Sequence, residues 1–195
     1  MASSDVGVRE RKKRATRAQL EEAAFNLFAR QGYDATTVDE ISEAAQVSPR
    51  TFFRYFATKE DVVFGDIDGD LDQLRAAMQH GPGEDGDVVR DGLLSFSRRL
   101  DDKRDDVLSR RQLIADNPAL QGRVLCLEHE WAAAMADVLA ARAGKGTPTF
   151  EQQVLASCAI GALSAAVHAW HSAGADEPLA SYTVRALDTV GSCLS

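Results

Sequence analysis

The chain has 195 residues, 45% of them apolar and 27% charged, a composition typical of globular proteins. No run of about 18 apolar residues occurs and the N-terminal residues are charged, so the sequence excludes a membrane span and a secretory signal and favours a cytoplasmic location. The three cysteines, Cys126, Cys158 and Cys193, form no CxxC pair, which argues against disulfides and a zinc knuckle; we expect them in the core.

Charge is divided unevenly along the chain, which carries a net charge of -8. Residues 1–60 contain ten Lys and Arg against nine Asp and Glu, whereas the rest contains twelve against twenty-one. Six basic residues lie between Arg9 and Arg17, among which Glu10 is the single acid. We therefore expect a basic, disordered arm over residues 1–14, followed by an acidic body.

From about residue 15 apolar residues recur at intervals of three and four, which predicts an all-α chain. Leu20 and Phe28 share one face of the first helix, and Gly32 is expected to end it in a left-handed conformation. Thr37, with Glu40 three residues later, predicts a capping box and a short second helix.

Ser48 and Pro49 predict the start of a third helix, because Ser is a favoured N-cap residue and Pro a favoured first residue. One face of this helix carries three phenylalanines, Phe52, Phe53 and Phe56. The opposite face carries Arg50, Thr51 and Arg54. Two short helices joined by a tight turn, the second presenting arginine and hydroxyl groups, form a helix-turn-helix that fits the DNA major groove. The alternative is a plain packed helix with solvated arginines.

Thr58 and Asp61 predict the cap of a fourth helix, whose apolar residues continue to Met78. This helix is expected to transmit a signal from the acidic body of the chain to the third helix. The Gly-rich, acidic residues 80–87 interrupt the helical pattern. Further helices are expected over residues 87–101, 104–116, 118–143, 149–173 and 178–194, about nine helices in all.

The stretch "EEAAFNLFARQGYDATTVDEISEAAQVSPRTFFRYFATKEDVV", residues 21–63, resembles the N-terminal domain of the TetR family of transcriptional regulators along its whole length. The resemblance implies a three-helix DNA-binding domain over residues 15–60 and a helical ligand-binding and dimerisation domain over residues 61–195. It also implies a double-stranded DNA operator as a partner and no cofactor.

Carried over by position, the resemblance implies a set of DNA-binding residues. Base-edge contacts are expected from Pro49, Arg50, Thr51 and Arg54, and phosphate contacts from Thr37, Tyr55 and Lys59. Ser48, at the start of the third helix, is included in the set. Phe53 stands where many members have Tyr, so it is expected to be a core residue only. The basic arm is expected along the DNA backbone or in a minor groove, with a solvated tail as the alternative.

Residues 153–170, "QVLASCAIGALSAAVHAW", carry little charge, so a helix here is expected to be buried on most sides. The family resemblance implies that the last two helices pair with those of a second subunit. We therefore expect a homodimer through residues 149–194 that binds a palindromic operator.

The patterns "EHEWAAAMADVLAAR" and "GALSAAVHAW" resemble the C-terminal domain of mycofactocin-regulator-like members, which implies an apolar or acyl-CoA-like effector. The candidate pocket residues are Phe96, Leu113, Leu127, Trp131, Met135 and His168. Arg98 or Arg99 is available for an anionic group. The alternative for each apolar residue is a place in the plain core.

Metal binding and catalysis are not indicated. His168 and His171 lack a third ligand at helical spacing, and the consecutive Glu128, His129 and Glu130 point in different directions on a helix. No catalytic motif occurs, so an enzyme is not expected. The sequence predicts a ligand-responsive homodimeric repressor; the alternatives are a ligand-binding scaffold with a vestigial DNA head and a small-molecule enzyme.

Overall fold

The computed structural model describes the backbone of residues 2–193 and the side chains of residues 11–192. Within this part every regular element is a helix, which confirms the all-α prediction. The helices are α1 (Ala2–Gln31), α2 (Val38–Ala44), α3 (Pro49–Tyr55), α4 (Lys59–Phe64), α5 (Ile67–His80), α6 (Asp85–Asp101), α7 (Arg104–Asp116), α8 (Pro118–Arg142), α9 (Phe150–Ser172) and α10 (Leu179–Cys193).

Local capping signals place the ends of the early helices where the sequence predicts them. Gly32 follows α1 with a φ of 87°, in the left-handed region where glycine has no steric penalty. The Thr37 hydroxyl accepts from the Glu40 N–H, and the Glu40 carboxylate accepts from the Thr37 N–H at 2.8 Å. Thr58 and Asp61 form the same reciprocal box at the start of α4.

The first helix begins earlier than expected. α1 runs from Ala2, so residues 2–14, expected as a disordered arm, are helical in the structure. Residues 9–14 are all Arg, Lys or Glu, which are good helix formers, so clustered charge here does not prevent helix formation. The side chains of residues 11–14 are exposed, whereas Met1 lies outside the described residues.

Residues 59–80 form two helices rather than the predicted single fourth helix. Gly65 ends α4 with a φ of 72°, and Asp66 precedes α5 without making a side-chain cap. The apolar spacing from Val62 to Met78 continues across this break, and spacing alone does not report a local turn of the backbone. The contacts of the chain also divide here, into the units Met1–Gly65 and Asp66–Ser195.

The first unit packs around α3. Phe52 is fully buried and Phe56 is 2% exposed. α3 packs on α2, and the guanidinium of Arg17 on α1 lies 4.5 Å from the centroid of the Phe56 ring. The fully buried apolar residues of α1, α2 and α4 are Leu20, Ala24, Ile41, Val62 and Val63. Because α3 has only seven residues, this packing supplies the stability that the short helix lacks.

The second unit has its core between α5, α6, α8, α9 and α10. Gly92 permits the close packing of α5 on α6, since a Cβ there would lie 2.9 Å from the Met78 side chain and 3.1 Å from that of Leu74. Arg142 on α8 donates to the carbonyl oxygens of Met78 and Gly81, both at 2.9 Å, which satisfies groups left open at the end of α5.

α9 is the one described helix that is long and apolar enough to cross a membrane by length and composition. The buried helix of a globular core meets the same criterion, and Leu163, Val167 and Trp170 of α9 all lie in the core. The core placement expected for the cysteines is wrong for Cys126, which is exposed on α8, and Cys158 is half-buried. The side chain of Cys193 lies outside the described residues.

Candidate nucleic-acid interface and effector site

α2, a tight turn and α3 form the helix-turn-helix. The turn contains Gln46, whose φ of 54° is left-handed, and the Val47 N–H donates to the Ser42 carbonyl at 2.9 Å. This is the bonding of a Schellman motif, in which a left-handed residue ends the helix. Ser48 then caps α3 by accepting from the Thr51 N–H at 3.2 Å. The two motifs set the direction in which α3 leaves the turn.

α3 has a buried side and an exposed side. Phe52 and Phe56 face the core, whereas Pro49, Arg50 and Arg54 are exposed. Thr51 and Tyr55 are half-buried at the borders. The structure therefore brings the predicted base-contacting side chains together on one surface of a helix whose other side is anchored.

Phe53 differs from its expected core position, because its side chain is 56% exposed. Its ring packs edge-on against the buried ring of Phe52, with the centroids 5.5 Å apart. Residues 52 and 56 are nearly one turn apart and fill the inward face, while residue 53 is rotated about 100° from residue 52. The exposed side of α3 is therefore apolar as well as basic.

Lys59, expected at a DNA phosphate, has a structural role in this chain. Its ammonium donates to the carbonyl oxygens of Tyr33 at 2.8 Å and Thr36 at 2.9 Å, and it lies 4.2 Å from the centroid of the Tyr33 ring. These bonds hold the segment that leads into Thr37 and α2. An ammonium group has three N–H donors, so one remains after these two bonds.

Arg17 also contributes to the DNA-binding unit, which the sequence did not predict. In the sequence, Arg17 counts only as one of the six basic residues between Arg9 and Arg17. Its guanidinium donates to the Gly65 carbonyl at 2.6 Å and to the Tyr55 carbonyl at 3.4 Å. It also lies 4.5 Å from the centroid of the Phe56 ring. Its spacing from Leu20 places it on the inward face of α1, which is the signal that could have identified it.

The predicted pocket residues are only partly brought together. Phe96 and Met135 are buried in the second core, and the Trp131 ring packs edge-on against Phe96 at 5.1 Å between centroids. Leu113 and Leu127 are half-buried on α7 and α8 and are not among the side chains packed on that core.

His168 does not belong with these residues, because it is exposed on α9. The inward face of α9 is occupied by Leu163, Val167 and Trp170, and residue 168 is rotated about 100° from residue 167. The pocket assignment of His168 is therefore wrong for the single chain.

The structure distinguishes the two arginines that the sequence left as alternatives. Arg98 is exposed, whereas Arg99 is half-buried with its guanidinium carbon 5.5 Å from the centroid of Phe96. One nitrogen of Arg99, Nη1, lies 3.3 Å from Ser95 Oγ. Arg99 is thus the cation that accompanies the Phe96 and Trp131 rings.

Comparison with known proteins agrees with this architecture. The family described as bacterial regulatory proteins, tetR family, matches residues 20–64, and the MftR C-terminal domain matches residues 86–195. The transcriptional regulator TcmR of Streptomyces glaucescens is 37% identical over 148 residues, 71% of this chain and 65% of TcmR. The chain thus spans somewhat less than two thirds of the length of TcmR.

The mycofactocin biosynthesis regulator MftR of Mycobacterium tuberculosis is 29% identical over 162 residues, 82% of each chain. Among solved structures, FadR of Thermus thermophilus, a transcriptional repressor in complex with lauroyl-CoA, shares the fold with a TM-score of 0.56. It is 22% identical, and the alignment covers 88% of this chain and 91% of FadR.

An exposed basic helix in a helix-turn-helix, joined to a separate helical body, is the architecture of a DNA-binding transcriptional regulator. The matched families and relatives are transcriptional regulators and not enzymes. The matched regions cover most of the chain. The chain belongs to the TetR family of transcriptional regulators, with a C-terminal domain of the MftR type.

Proposed function

We propose that this regulator binds a palindromic DNA operator as a homodimer in the cytoplasm, represses transcription there, and is released by a small apolar or acyl-type ligand. The observation that carries the proposal is the two-sided α3. Phe52 and Phe56 are buried in the core while Arg50 and Arg54 are exposed on the other side. A basic surface on a well-anchored short helix suits insertion into the major groove.

The exposed side of α3 supplies groups that can read bases. Arg50 and Arg54 can each donate two parallel hydrogen bonds to a guanine, and Thr51 can contact a thymine methyl group or make one hydrogen bond. Pro49 places the start of the helix without needing a backbone partner. Ser48 contributes by capping the helix and lies 3.0 Å from the Thr51 hydroxyl, which orients that side chain.

Phosphate contacts are proposed around this reading surface. Tyr55 at the end of α3 and the remaining N–H of Lys59 are side-chain donors that we assign to the DNA backbone. Thr37 donates its N–H and its hydroxyl to Glu40, so the contribution at the start of α2 is assigned to the backbone N–H groups that Thr37 caps. The exposed side chains of residues 11–14 add positive charge on α1. Such contacts favour every duplex equally and fix the register in which Arg50 meets the bases.

Dimer formation is proposed through residues 149–194, because α9 keeps an exposed face of small and apolar residues. Val154 is 42% exposed, and nothing lies within 4 Å of a Cβ built on Gly161. Ala165 and His168 continue the same face at helical spacing and are exposed. Pairing of this face with its copy would bury it and would place two α3 helices on a two-fold symmetric site.

The effector is proposed to bind near Phe96, Trp131 and Met135. These side chains form an apolar group next to one cation, Arg99, which suits an apolar ligand with a polar end. The lauroyl-CoA complex of FadR, which has the same fold, supports an acyl-type ligand for this chain. Coupling between effector and operator is not assigned to one rigid fourth helix, because α4 and α5 are separate.

The test is selection of genomic DNA fragments by the purified protein, followed by mobility shifts on the enriched sequence. The expected result is a palindrome whose half-sites lie about one helical turn of DNA or somewhat more apart. Dodecanoate and dodecanoyl-CoA are the first effector probes, and the one that is recognised should weaken operator binding by roughly five- to 150-fold. Enrichment of no sequence over random fragments would refute the DNA-binding role, and unchanged operator affinity across acyl chain lengths would refute the acyl effector.

A further inference from the structure

Arg99 on α6 has two buried guanidinium nitrogens without an acceptor in the described part of the chain. Its Nη1 is within hydrogen-bond distance of Ser95 Oγ at 3.3 Å, but Nε and Nη2 have no hydrogen-bond partner in the described part of the chain. Nε–H and one Nη2–H point along the same edge of the planar guanidinium. This edge matches the two oxygens of a carboxylate, which it can bind with two parallel hydrogen bonds.

Trp131 on α8 provides a third buried donor. Its indole Nε1 has no hydrogen-bond partner in the described part of the chain. The other tryptophan shows the usual arrangement, because Trp170 Nε1 donates to the Glu177 carbonyl at 2.9 Å. Buried donors in native proteins are nearly always paired, so the unpaired indole and the unpaired guanidinium edge each indicate a missing acceptor.

Phe96 brings the two donors into one neighbourhood. The guanidinium carbon of Arg99 lies 5.5 Å from the centroid of its ring, and the Trp131 ring centroid lies 5.1 Å from it. Met135, one helical turn beyond Trp131, belongs to the same buried cluster as Phe96. The donors therefore adjoin apolar side chains, which suits a ligand with an oxygen-rich end and an apolar remainder.

The described charged residues around Arg99 do not occupy the open edge of its guanidinium. Asp70 on α5 interacts electrostatically with Arg99, Lys103 and Arg110, but burial raises the pKa of its carboxyl group. No Asp70 oxygen accepts a hydrogen bond from the open edge of Arg99. Arg111 on α7, by contrast, has Glu128 as its opposing charge. In the described part of the chain, Arg99 therefore has Asp70 as an electrostatic neighbour but makes no hydrogen-bonded ion pair through Nε or Nη2.

We propose that Arg99 and Trp131 form a carboxylate-binding site and that the effector is an apolar carboxylic acid in its ionised, free form. The carboxylate accepts the Nε–H and Nη2–H of Arg99 and the indole N–H of Trp131, and the apolar part lies against Phe96 and Met135. The site rests on the proposed effector function, and it specifies the end of the ligand that is recognised. A thioester has a neutral carbonyl at this position and leaves the guanidinium edge without its counter-charge.

Calorimetric titration of the DNA-free full chain tests the site with three probes of equal chain length: dodecanoate, methyl dodecanoate and dodecanoyl-CoA. We expect dodecanoate to bind at least tenfold more tightly than its methyl ester. Arg99→Gln should remove this preference, whereas Arg98→Gln, a change at an exposed neighbour, should keep it. Trp131→Phe retains the ring but loses the N–H, and it should weaken dodecanoate binding several-fold without affecting the ester.

Three results would overturn the site: no binding of dodecanoate, equal binding of acid and ester, or an unchanged preference in a folded Arg99→Gln protein. A fourth is dodecanoyl-CoA binding that Arg99→Gln weakens as strongly as dodecanoate binding. Arg99→Lys replaces Arg99→Gln as the test if the latter does not fold. It keeps the positive charge but not the two parallel N–H donors, so it should lose most of the preference for dodecanoate over its methyl ester. Because no DNA is present, failure of the carboxylate site is separable from failure of operator binding.

Discussion

The ammonium of Lys59 lies 4.2 Å from the ring centroid of Tyr33 and donates to the carbonyl oxygen of the same residue at 2.8 Å. Tyr33 is 6% exposed and belongs to the turn between α1 and α2. The Lys59 side chain at the start of α4 therefore fixes the position of the turn that precedes α2. The position of the predicted phosphate contact at Thr37 depends on this link.

Lys59→Ala should consequently have two effects. The loss of two hydrogen bonds from a charged donor is expected to lower the free energy of unfolding by about 1–3 kcal/mol. Loss of the phosphate donor should weaken all duplexes about equally and reduce the salt slope of binding by about one unit. Thermal melts and salt-dependent mobility shifts measure these effects, with Lys145→Ala at an exposed position as the control. An unchanged salt slope would show that the Lys59 ammonium stabilises the turn before α2 and does not contact a phosphate.

Arg50→Ala tests the reading surface of α3. Arg50 is exposed, so its loss should leave thermal stability unchanged while costing roughly 1–3 kcal/mol at the cognate operator. Preference should relax at one base pair per half-site. The matched control is Arg75→Ala, an exposed arginine of the second unit, which should bind the operator as the wild type does. Unchanged affinity and base preference for Arg50→Ala would refute the reading surface.

Phe53 is expected to contact DNA through its exposed ring. Phe53→Ala should weaken operator binding by about 1 kcal/mol, the order of magnitude for one buried methyl group. Replacing operator thymines one at a time by uracil removes single methyl groups from the major groove. The wild type should lose affinity at one such position per half-site, and Phe53→Ala should be insensitive there. A wild type that tolerates every replacement does not use Phe53 in this way.

Gln46 holds a left-handed conformation, with a φ of 54°, in the turn of the helix-turn-helix. Gln46→Gly should raise the free energy of unfolding by roughly 0.5–1 kcal/mol, because relief of the left-handed strain exceeds the entropy cost of glycine. Ala44→Gly, two residues earlier in α2, is the control and should lower it by about 1 kcal/mol. Denaturant unfolding measures both, and a destabilised Gln46→Gly protein would contradict the expectation.

Gly161→Arg tests the dimer face directly. A Cβ at Gly161 meets nothing within 4 Å in the single chain, so the change should leave the fold of the subunit intact. In a dimer through α9 it would bring two charges together near the two-fold axis and should shift the protein to monomer in light scattering. Gly122→Arg on α8 is the control, since its Cβ is equally free. Leu187 is less suitable because it packs on the core of its own chain.

Local sequence determined the helical framework of this protein. Several helix ends are set by residues that act within a few positions of one another, so the sequence alone predicts them. They are the starts at Thr37 with Glu40 and at Ser48 with Pro49, and the end at Gly32. The expected helices after residue 80 agree with α6–α10 to within two residues at each end. Among them α9 has a local capping box at Thr149, whereas α6, α7 and α8 begin without a side-chain cap and follow the apolar spacing. The resemblance over residues 21–63 likewise rests on contiguous residues and predicted the family that the comparisons show.

Tertiary structure decided which side chains each helix exposes and what the charged ones contact. Three phenylalanines share one arc in the sequence, but only the packing of the first unit buries Phe52 and Phe56 and leaves Phe53 exposed. Arg98 and Arg99 are adjacent and identical in type, yet only Arg99 turns toward Phe96. Lys59 reaches carbonyl groups more than twenty residues away. Such contacts join groups distant in the chain, so they follow from how the helices pack and carry no local signal.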